Sequence, residues 1–362
     1  MLKGTIRVAI AGQGRSGFDI HARWLRQDAG RYKIVAIADA MRERRTQSAA
    51  EFGCKTYGDW RETLRAGGFD LFVNSLPSPL HPSVSIEALR HGYHVVCEKP
   101  LAVRVADFDQ VVAEARKARR LFAPFQNSRF YPFFQKMLEV IASGRLGQIL
   151  HVNIVWGNFA RRWDWQTRQD LLGGNLNNTG PHPLDQAVVL FGPRMPEVSS
   201  CLVSGPNTLG DADDLAMVTL SGKGSPRIDV TVSSYLAYPV ADMYNVCGTR
   251  GGMAGGPKGL RWKWFDPAKA PRITMLKSWS DHRKYCGETL PWQEEAWSLP
   301  EGHDDFLHNS GQFYGNVYEA LTCGQKLVVQ PAEVRRQVAV LEACHRQNPL
   351  PKLAVKKRRA AK

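Results

Sequence analysis

A strand-like run that leads into three spaced glycines is the feature that most constrains how this chain folds. The run TIRVAIAG begins at Thr5 and is followed by QGRSG. The first glycine permits a tight turn, the second permits close approach of a phosphate group, and the third permits close packing of a helix on the strand. The pattern therefore predicts a βα turn that holds the pyrophosphate of a dinucleotide, with a plain βα turn as the alternative interpretation. The residues expected at this site are Gly12, Gln13, Gly14, Arg15, Ser16 and Gly17.

The pattern of predicted strands and helices changes near residue 126. Before it, short apolar runs alternate with segments of helical periodicity, which is typical of a doubly wound α/β parallel sheet. After it, strand-like runs follow one another at hairpin distances, which predicts an α+β unit with a large, mostly antiparallel open sheet. We predict a Rossmann domain over 1–126 and a substrate-binding and oligomerisation domain over 127–350, whose last helix packs back on the first domain. Residues 351–362 are predicted to form a basic, disordered tail.

Composition and charge exclude several classes of function. The net charge of +14 is partly local, because the segment KLAVKKRRAAK at the C-terminus carries six positive charges. No nucleic-acid-reading motif accompanies it, and no stretch approaches the roughly 18 apolar residues of a membrane span. The seven cysteines are scattered, with no pair or cluster at metal-binding spacing. We therefore predict a cytoplasmic protein with reduced thiols, no metal, and neither a nucleic-acid nor a membrane partner.

Asp39 ends the second predicted strand, in the segment IADA. Its distance from the glycines, about 20 residues, is that of a carboxylate which accepts hydrogen bonds from the adenosine ribose. A carboxylate there repels a 2′-phosphate, so NAD is favoured over NADP. Arg42, Arg44 and Arg45 follow closely and weaken that preference, and capping of the next helix is the alternative role for Asp39.

The segment HVVCEKPL ends another predicted strand in Glu98, Lys99 and Pro100. A side chain at the carboxyl edge of a parallel sheet faces the crevice where ligands bind in such folds. The ammonium group of Lys99 can there donate to a substrate hydroxyl or transfer its proton. A surface lysine without function is the alternative interpretation.

Four segments carry a resemblance to a known family: AGQGRSG, SLPSPLHPSVSIEALRHGYHVVCEKPL, SRFYPFFQKMLEVIASGRLGQI and GGNLNNTGPHPLDQAVVLFG. Together the chain resembles the Gfo/Idh/MocA (glucose-fructose oxidoreductase, inositol dehydrogenase, rhizopine catabolism) oxidoreductases over nearly its whole length. The resemblance implies hydride transfer at a ring carbinol, homodimers or homotetramers formed through the open sheet, and contact of Lys99 with the reacting hydroxyl. It also implies cofactor contacts at Arg44, Ser75, Leu76, Pro77, His81, Glu98, Lys99, Gln126 and Asn127.

His182 stands between two prolines in the last of these segments. The resemblance implies that His182 is the acid/base of alcohol oxidation. The family commonly has an acid four positions earlier, where this chain has Asn178, so a negative charge beside the imidazole is missing. Pro181 favours the first position of a helix, which predicts a neutral His182 in the first helical turn. A structural histidine is the alternative, and Asp185 matches an aspartate that supports the helix.

These features predict an NAD-dependent oxidoreductase that transfers hydride between nicotinamide and a secondary alcohol or ketone of a sugar, glycoside or cyclitol ring. Lys99 and His182 are the predicted acid/base groups. A glycoside-cleaving enzyme that uses NAD for transient oxidation at C3, and a non-catalytic NAD-binding sensor, are the alternatives. The predicted substrate contacts are Lys99, Arg129, Trp156, Trp163, Asn178 and His182, with Arg161, Tyr285 and His303 as further polar candidates.

Overall fold

The first sheet has six strands in the order β3-β2-β1-β4-β5-β6, and all neighbouring strands are parallel. The computed structural model describes residues 1–238, 240–275, 283 and 285–352. The strands are β1 (Ile6–Ala11), β2 (Tyr32–Ala38), β3 (Lys55–Tyr57), β4 (Leu71–Asn74), β5 (His94–Cys97) and β6 (Phe122–Pro124). Val73 and Val96 are fully buried, as expected for central strands covered on both faces. The doubly wound sheet is confirmed; the three-residue β3 was too short for its pattern to be recognised.

Helices connect these strands. They are α1 (Arg23–Gln27), α2 (Arg42–Phe52), α3 (Trp60–Ala66), α4 (His81–Arg90) and α5 (Val105–Ala118). In α5 the apolar residues Phe108, Val111 and Ala115 recur three and four positions apart and are buried, so one face of the helix packs on the sheet. The helix that follows β1 begins with π-helical winding over Ser16–Ala22 before it continues as α1.

The second sheet has eight strands in the order β14-β13-β12-β11-β7-β10-β9-β8. The strands are β7 (Ile149–Gly157), β8 (Glu197–Val203), β9 (Leu215–Ser221), β10 (Arg227–Ser233), β11 (Tyr244–Gly248), β12 (Gly251–Gly256), β13 (Gly259–Trp264) and β14 (Gln293–Ser298). Only β7 and β10 pair in parallel; the other pairs are antiparallel. The predicted α+β architecture is confirmed. The sequence did not reveal β14, because its segment QEEAWS is an edge strand with almost no apolar alternation.

The remaining helices are α6 (Pro132–Ala142), α7 (Asn175–Asn178), α8 (Pro181–Phe191), α9 (Asp305–Thr322) and α10 (Pro331–Gln347). Each sheet has its own apolar core. Helix α9 packs entirely on the core of the first sheet, whereas α10 contributes Val334 and Val338 to the first core and Leu341 and Cys344 to the second. The last helix therefore joins the two cores. Within the described residues no helix is long and apolar enough to cross a membrane, and residues 353–362 of the predicted tail lie outside them.

Candidate active site

The glycine turn after β1 is shaped by backbone contacts that exclude side chains. Gly12 has φ +90°, and a Cβ at Gly17 would stand 1.8 Å from the Gly12 carbonyl oxygen. A Cβ at Gly14 would meet nothing closer than Arg44 Nη1 at 4.0 Å. Two of the glycines are thus required by the fold, and the middle one faces open space, which fits the approach of a pyrophosphate.

Asp39 ends β2 beside this turn. Its Oδ2 accepts from the backbone N–H of Gln13 at 2.7 Å, and its Oδ1 accepts from Met41 N–H at 2.8 Å. The guanidinium of Arg44 lies 3.5 Å from Oδ2. The carboxylate is therefore held at the mouth of the turn, with one cation close enough to offset part of its charge.

His81 contacts both of the segments that follow β4 and β5. Its Nδ1 lies 2.7 Å from the carbonyl oxygen of Pro100, and its Nε2 lies 2.8 Å from that of Leu76. The peptide bond between Lys99 and Pro100 is cis. Both ring nitrogens lie within hydrogen-bond distance of these carbonyl oxygens and the residue is buried, so His81 holds the two cleft segments in register, and its contact with the cofactor stays a prediction.

Glu98 is a buried anion beneath the cleft. Its Oε2 accepts from Lys99 N–H at 2.9 Å, and its Oε1 lies 3.3 Å from His21 Nε2. Burial opposes ionisation, but the contacts and charges of His21 and Lys99 hold the pKa of Glu98 at about 2. The other ring nitrogen of His21 lies 2.7 Å from the hydroxyl of Tyr314 in α9. The carboxylate of Glu98 therefore faces the interior beneath Lys99, and the contact of this residue with the cofactor stays a prediction.

Lys99 reaches across to the second unit. Its Nζ donates to the backbone carbonyl of Asn178, at the end of α7, at 2.6 Å. Burial lowers the pKa of the Lys99 ammonium, and the negative charge of Glu98 opposes that shift. The charges of Arg15 and Arg162 lower it further. Lys99 is thus positioned by a backbone group, with cations of both units nearby.

His182 lies in the first turn of α8, as predicted. Burial, followed by the charge of Lys99, lowers its pKa to about 3, so the ring is neutral. Trp156 stacks on the imidazole with ring centroids 6.2 Å apart, and its own Nε1 donates to the Tyr244 hydroxyl at 2.9 Å. Nδ1 of His182 is buried without a hydrogen-bond partner in the described part of the chain, which leaves Nε2 as the ring nitrogen that can meet a substrate.

The sequences of the two units match the two domains of one family. Residues 6–125 match a family described as "Oxidoreductase family, NAD-binding Rossmann fold", and residues 134–254 match the GFO/IDH/MocA C-terminal domain. The chain belongs to the GFO/IDH/MocA oxidoreductases. It is accordingly an NAD-binding oxidoreductase with a Rossmann fold.

Several GFO/IDH/MocA relatives cover most of the chain. An uncharacterized oxidoreductase of Schizosaccharomyces pombe is 29% identical over 95% of this chain and 96% of its own length. The trans-1,2-dihydrobenzene-1,2-diol dehydrogenase of Bos taurus is 26% identical over 79% of this chain and 81% of its own. Inositol 2-dehydrogenase 1 of Saccharopolyspora erythraea is 32% identical over 42% and 46%. The solved structure of the WlbA dehydrogenase from Bordetella pertussis, in complex with NADH and UDP-GlcNAcA, has a TM-score of 0.74 at 23% identity, covering 94% of this chain and 96% of that one.

Two residues predicted at the site of this GFO/IDH/MocA protein make side-chain contacts with the framework of the fold. The Gln126 amide is fully buried and donates to Gln337 in α10. Arg129 forms a bidentate pair with Asp185, at 2.6 and 2.9 Å, and also donates to Glu333. These carboxylates occupy the guanidinium of Arg129, and its contact with the substrate stays a prediction.

Four further candidates make no hydrogen bond, ion pair or ring contact with Lys99 or His182 within the described residues. Trp163 is largely exposed and lines a cavity of about 1110 Å³ behind α7, to which neither Lys99 nor His182 contributes. Arg161 is exposed, and Tyr285 is fully exposed. His303 lies 3.5 Å from Asp305 at the start of α9. The residues His21, Tyr314, Arg162 and Gln166, which complete the surroundings of Lys99, were not found by motif, since none lies in a recognised segment.

Proposed function

We propose that this protein transfers hydride between NAD and a secondary alcohol or ketone on the ring of a sugar, glycoside or cyclitol. The observation that carries the proposal is the meeting of Lys99, from the end of β5, with the segment that leads into His182. Two relatives are named as dehydrogenases of an inositol and of a cyclic diol, which supports a ring alcohol as substrate.

The residues have distinct proposed roles. The Lys99 ammonium donates to the substrate oxygen and stabilises negative charge that develops there. Neutral His182 accepts the hydroxyl proton at Nε2 during oxidation and returns it during reduction. Asn178 orients Lys99 through its backbone carbonyl. The glycine turn and Asp39 would hold the dinucleotide, with Ser75, Leu76, Pro77 and Asn127 along the cleft; when bound, its nicotinamide ring supplies the hydride acceptor.

The proposal is tested by screening sugars, inositols and glycosides with NAD and NADP while NADH absorbance and products are followed. We expect NADH together with a ring ketone. Lys99→Met should lower kcat by about a hundredfold or more, as is typical for a positioned acid/base group, with little change in NAD affinity. Release of an aglycone without net NADH would support the glycoside-cleaving alternative, and NAD binding without turnover would support the sensor.

We also propose that the protein acts in the cytoplasm as a homodimer or homotetramer assembled through the open face of the second sheet. All seven cysteines are free thiols, which supports a reducing compartment. Met217, Leu150 and Trp292 are exposed on or beside this sheet, which supports its burial by a second copy. A single-chain mass in light scattering at micromolar concentration would contradict the oligomer.

A further inference from the structure

Arg162, in the loop after β7, lies beside the proposed reaction site. Its Nη2 donates to the side-chain oxygen of Gln166. The backbone carbonyl of Gln166 accepts from the side-chain amide of Asn178 at 3.3 Å, and the carbonyl of Asn178 accepts from Lys99 Nζ at 2.6 Å. The guanidinium of Arg162 is thus linked to Lys99 through Gln166 and Asn178.

Two hydrogen bonds from Nη2 orient the guanidinium of Arg162, and within the described residues they leave its other nitrogens available to a ligand. Nη2 donates to Asp164 Oδ2 at 2.9 Å, and the side chain remains 32% exposed. Nε and Nη1 have no hydrogen-bond partner among residues 1–238, 240–275, 283 and 285–352. A planar guanidinium with free donors binds carboxylate or phosphate through paired N–H···O bonds.

The anions near this cleft are already engaged. Glu98 is 4% exposed and faces Lys99 N–H and His21. The two oxygens of Asp164 accept from Gln166 N–H and from Arg162. Position 178, where the family commonly has an acid, is an amide. The charges of Glu98 and Asp164 are therefore partly compensated by these contacts, and beside the acceptor nitrogen of His182 the cleft presents the cations Lys99 and Arg162.

Arg15 adds to the positive charge of the cleft, since its charge acts on both Lys99 and His182. It lies in the glycine turn, where the pyrophosphate of the dinucleotide would accept its hydrogen bonds. Among the described residues Arg162 is then a cation that, together with Lys99, can face the substrate.

We propose that the substrate ring carries an anionic substituent, a carboxylate or a phosphate, and that Arg162 binds it. The substrate class is therefore acidic sugars or cyclitols, such as uronates and ring phosphates. This inference rests on the proposed function, because it places the anion on the molecule that Lys99 and His182 act upon.

The inference also accounts for the chemistry required of His182. A general base is most effective when its pKa lies near the working pH, yet the pKa of His182 is about 3. A negative charge bound beside Lys99 favours the imidazolium and raises that pKa. An anionic substrate would thus supply the charge that an acid at position 178 supplies elsewhere in the family.

The test compares matched neutral and acidic ligands: glucose, glucuronate and glucose 6-phosphate, and inositol with an inositol monophosphate. For the protein with NAD, we expect kcat/KM to be at least about tenfold higher for an acid than for its neutral partner, and the two acidic arms identify carboxylate or phosphate. Arg162→Met should lower kcat/KM for the acid by about 10- to 100-fold and lower it less for the neutral sugar, so that the preference for the acid is lost. Arg168→Met is the matched control, because Arg168 pairs with Asp170 as Arg162 pairs with Asp164 but lines the cavity behind α7.

Calorimetric binding of the same ligands to the NAD-loaded protein separates this inference from the proposed function. Tighter binding of an acid that depends on Arg162, without turnover of any ligand, would contradict the proposed function and support the anion site. Equal or better binding and turnover of neutral ligands, or an equal loss for both kinds in Arg162→Met, would overturn the anion site.

Discussion

Asn178 uses its two polar groups for different purposes. Its backbone carbonyl receives the Lys99 ammonium, whereas its side-chain amide donates to Gln166. Within the described residues no hydrogen bond joins the Asn178 side chain to the His182 ring. The side-chain amide of Asn178 therefore does not orient the imidazole, and it places no negative charge beside it. Burial and the charge of Lys99 lower the pKa of His182.

Replacing this amide with an acid is expected to change the pH dependence of the reaction. In Asn178→Asp a carboxylate near Lys99 and His182 favours the charged imidazole and raises its pKa. A base acts only when it is deprotonated, so the rising limb of kcat/KM for oxidation should move to higher pH. In the native protein, where that pKa is about 3, His182 should contribute no rising limb near neutral pH. pH profiles of both proteins, with His182→Ala as the inactive control, measure this; coincident profiles would disprove the coupling.

At the scale of elements, the sequence predicted those helices, strands and turns that are determined by residues close to one another in the chain. The glycine turn, the strand that ends in Lys99 and the helix that begins at Pro181 each rest on a pattern within a few residues. The environment of Lys99 was not predictable in this way. His21, beneath Lys99, contacts Tyr314 of α9, which is distant in sequence, and Arg162 lies in a loop without periodicity. The ion pairs of Arg129 were not predictable for the same reason, because its partners lie in α8 and α10.

Two glycines of the turn between β1 and the following helix allow the effects of a substitution on stability and on cofactor binding to be measured separately. Gly17→Ala places a Cβ 1.8 Å from the Gly12 carbonyl oxygen, so the backbone must shift, and a loss of about 1–3 kcal/mol in the free energy of unfolding is expected. Gly14→Ala adds a methyl group to open space and should leave the melting temperature nearly unchanged while it weakens NAD binding.

Thermal unfolding and NAD titration of these two variants are the measurements. A Gly14→Ala protein that binds NAD as tightly as the native chain would show that the open space above Gly14 is not the pyrophosphate site. An undiminished melting temperature in Gly17→Ala would show that the turn relaxes without cost.

At the scale of the whole molecule, polar links through α10 connect the two sheets to the site. Gln337 accepts from Gln126 at the end of β6 and donates to the Pro181 carbonyl, at 3.1 and 3.0 Å. Arg129 joins Asp185, one turn after His182, to Glu333 of α10. The position of α8, and with it the acid/base histidine, is thus fixed by buried polar contacts between elements that are distant in sequence.

Arg129→Met is expected to destabilise the fold by about 3–5 kcal/mol, because it leaves the buried carboxylate of Asp185 without its cation. Burial raises the pKa of Asp185, and Arg129 opposes that shift more strongly than the charge of Arg336 does, so the pKa of Asp185 should rise further in the variant. A folded-state pKa above the unfolded value means that the folded protein binds its proton more tightly. The variant should therefore be closest to native stability at low pH and lose stability as pH rises above about 4.

Urea unfolding across that pH range measures the effect, and the double variant Arg129→Met, Asp185→Leu is its control. Removing both charges leaves no buried ion uncompensated, so most of the lost stability should return and the added pH dependence should disappear. If the ion pair of Arg129 and Asp185 also positions α8, the double variant will be stable but will keep a low kcat for hydride transfer. A double variant with native kcat would limit Arg129 and Asp185 to stability, and a single variant with native stability at neutral pH would contradict the pair altogether.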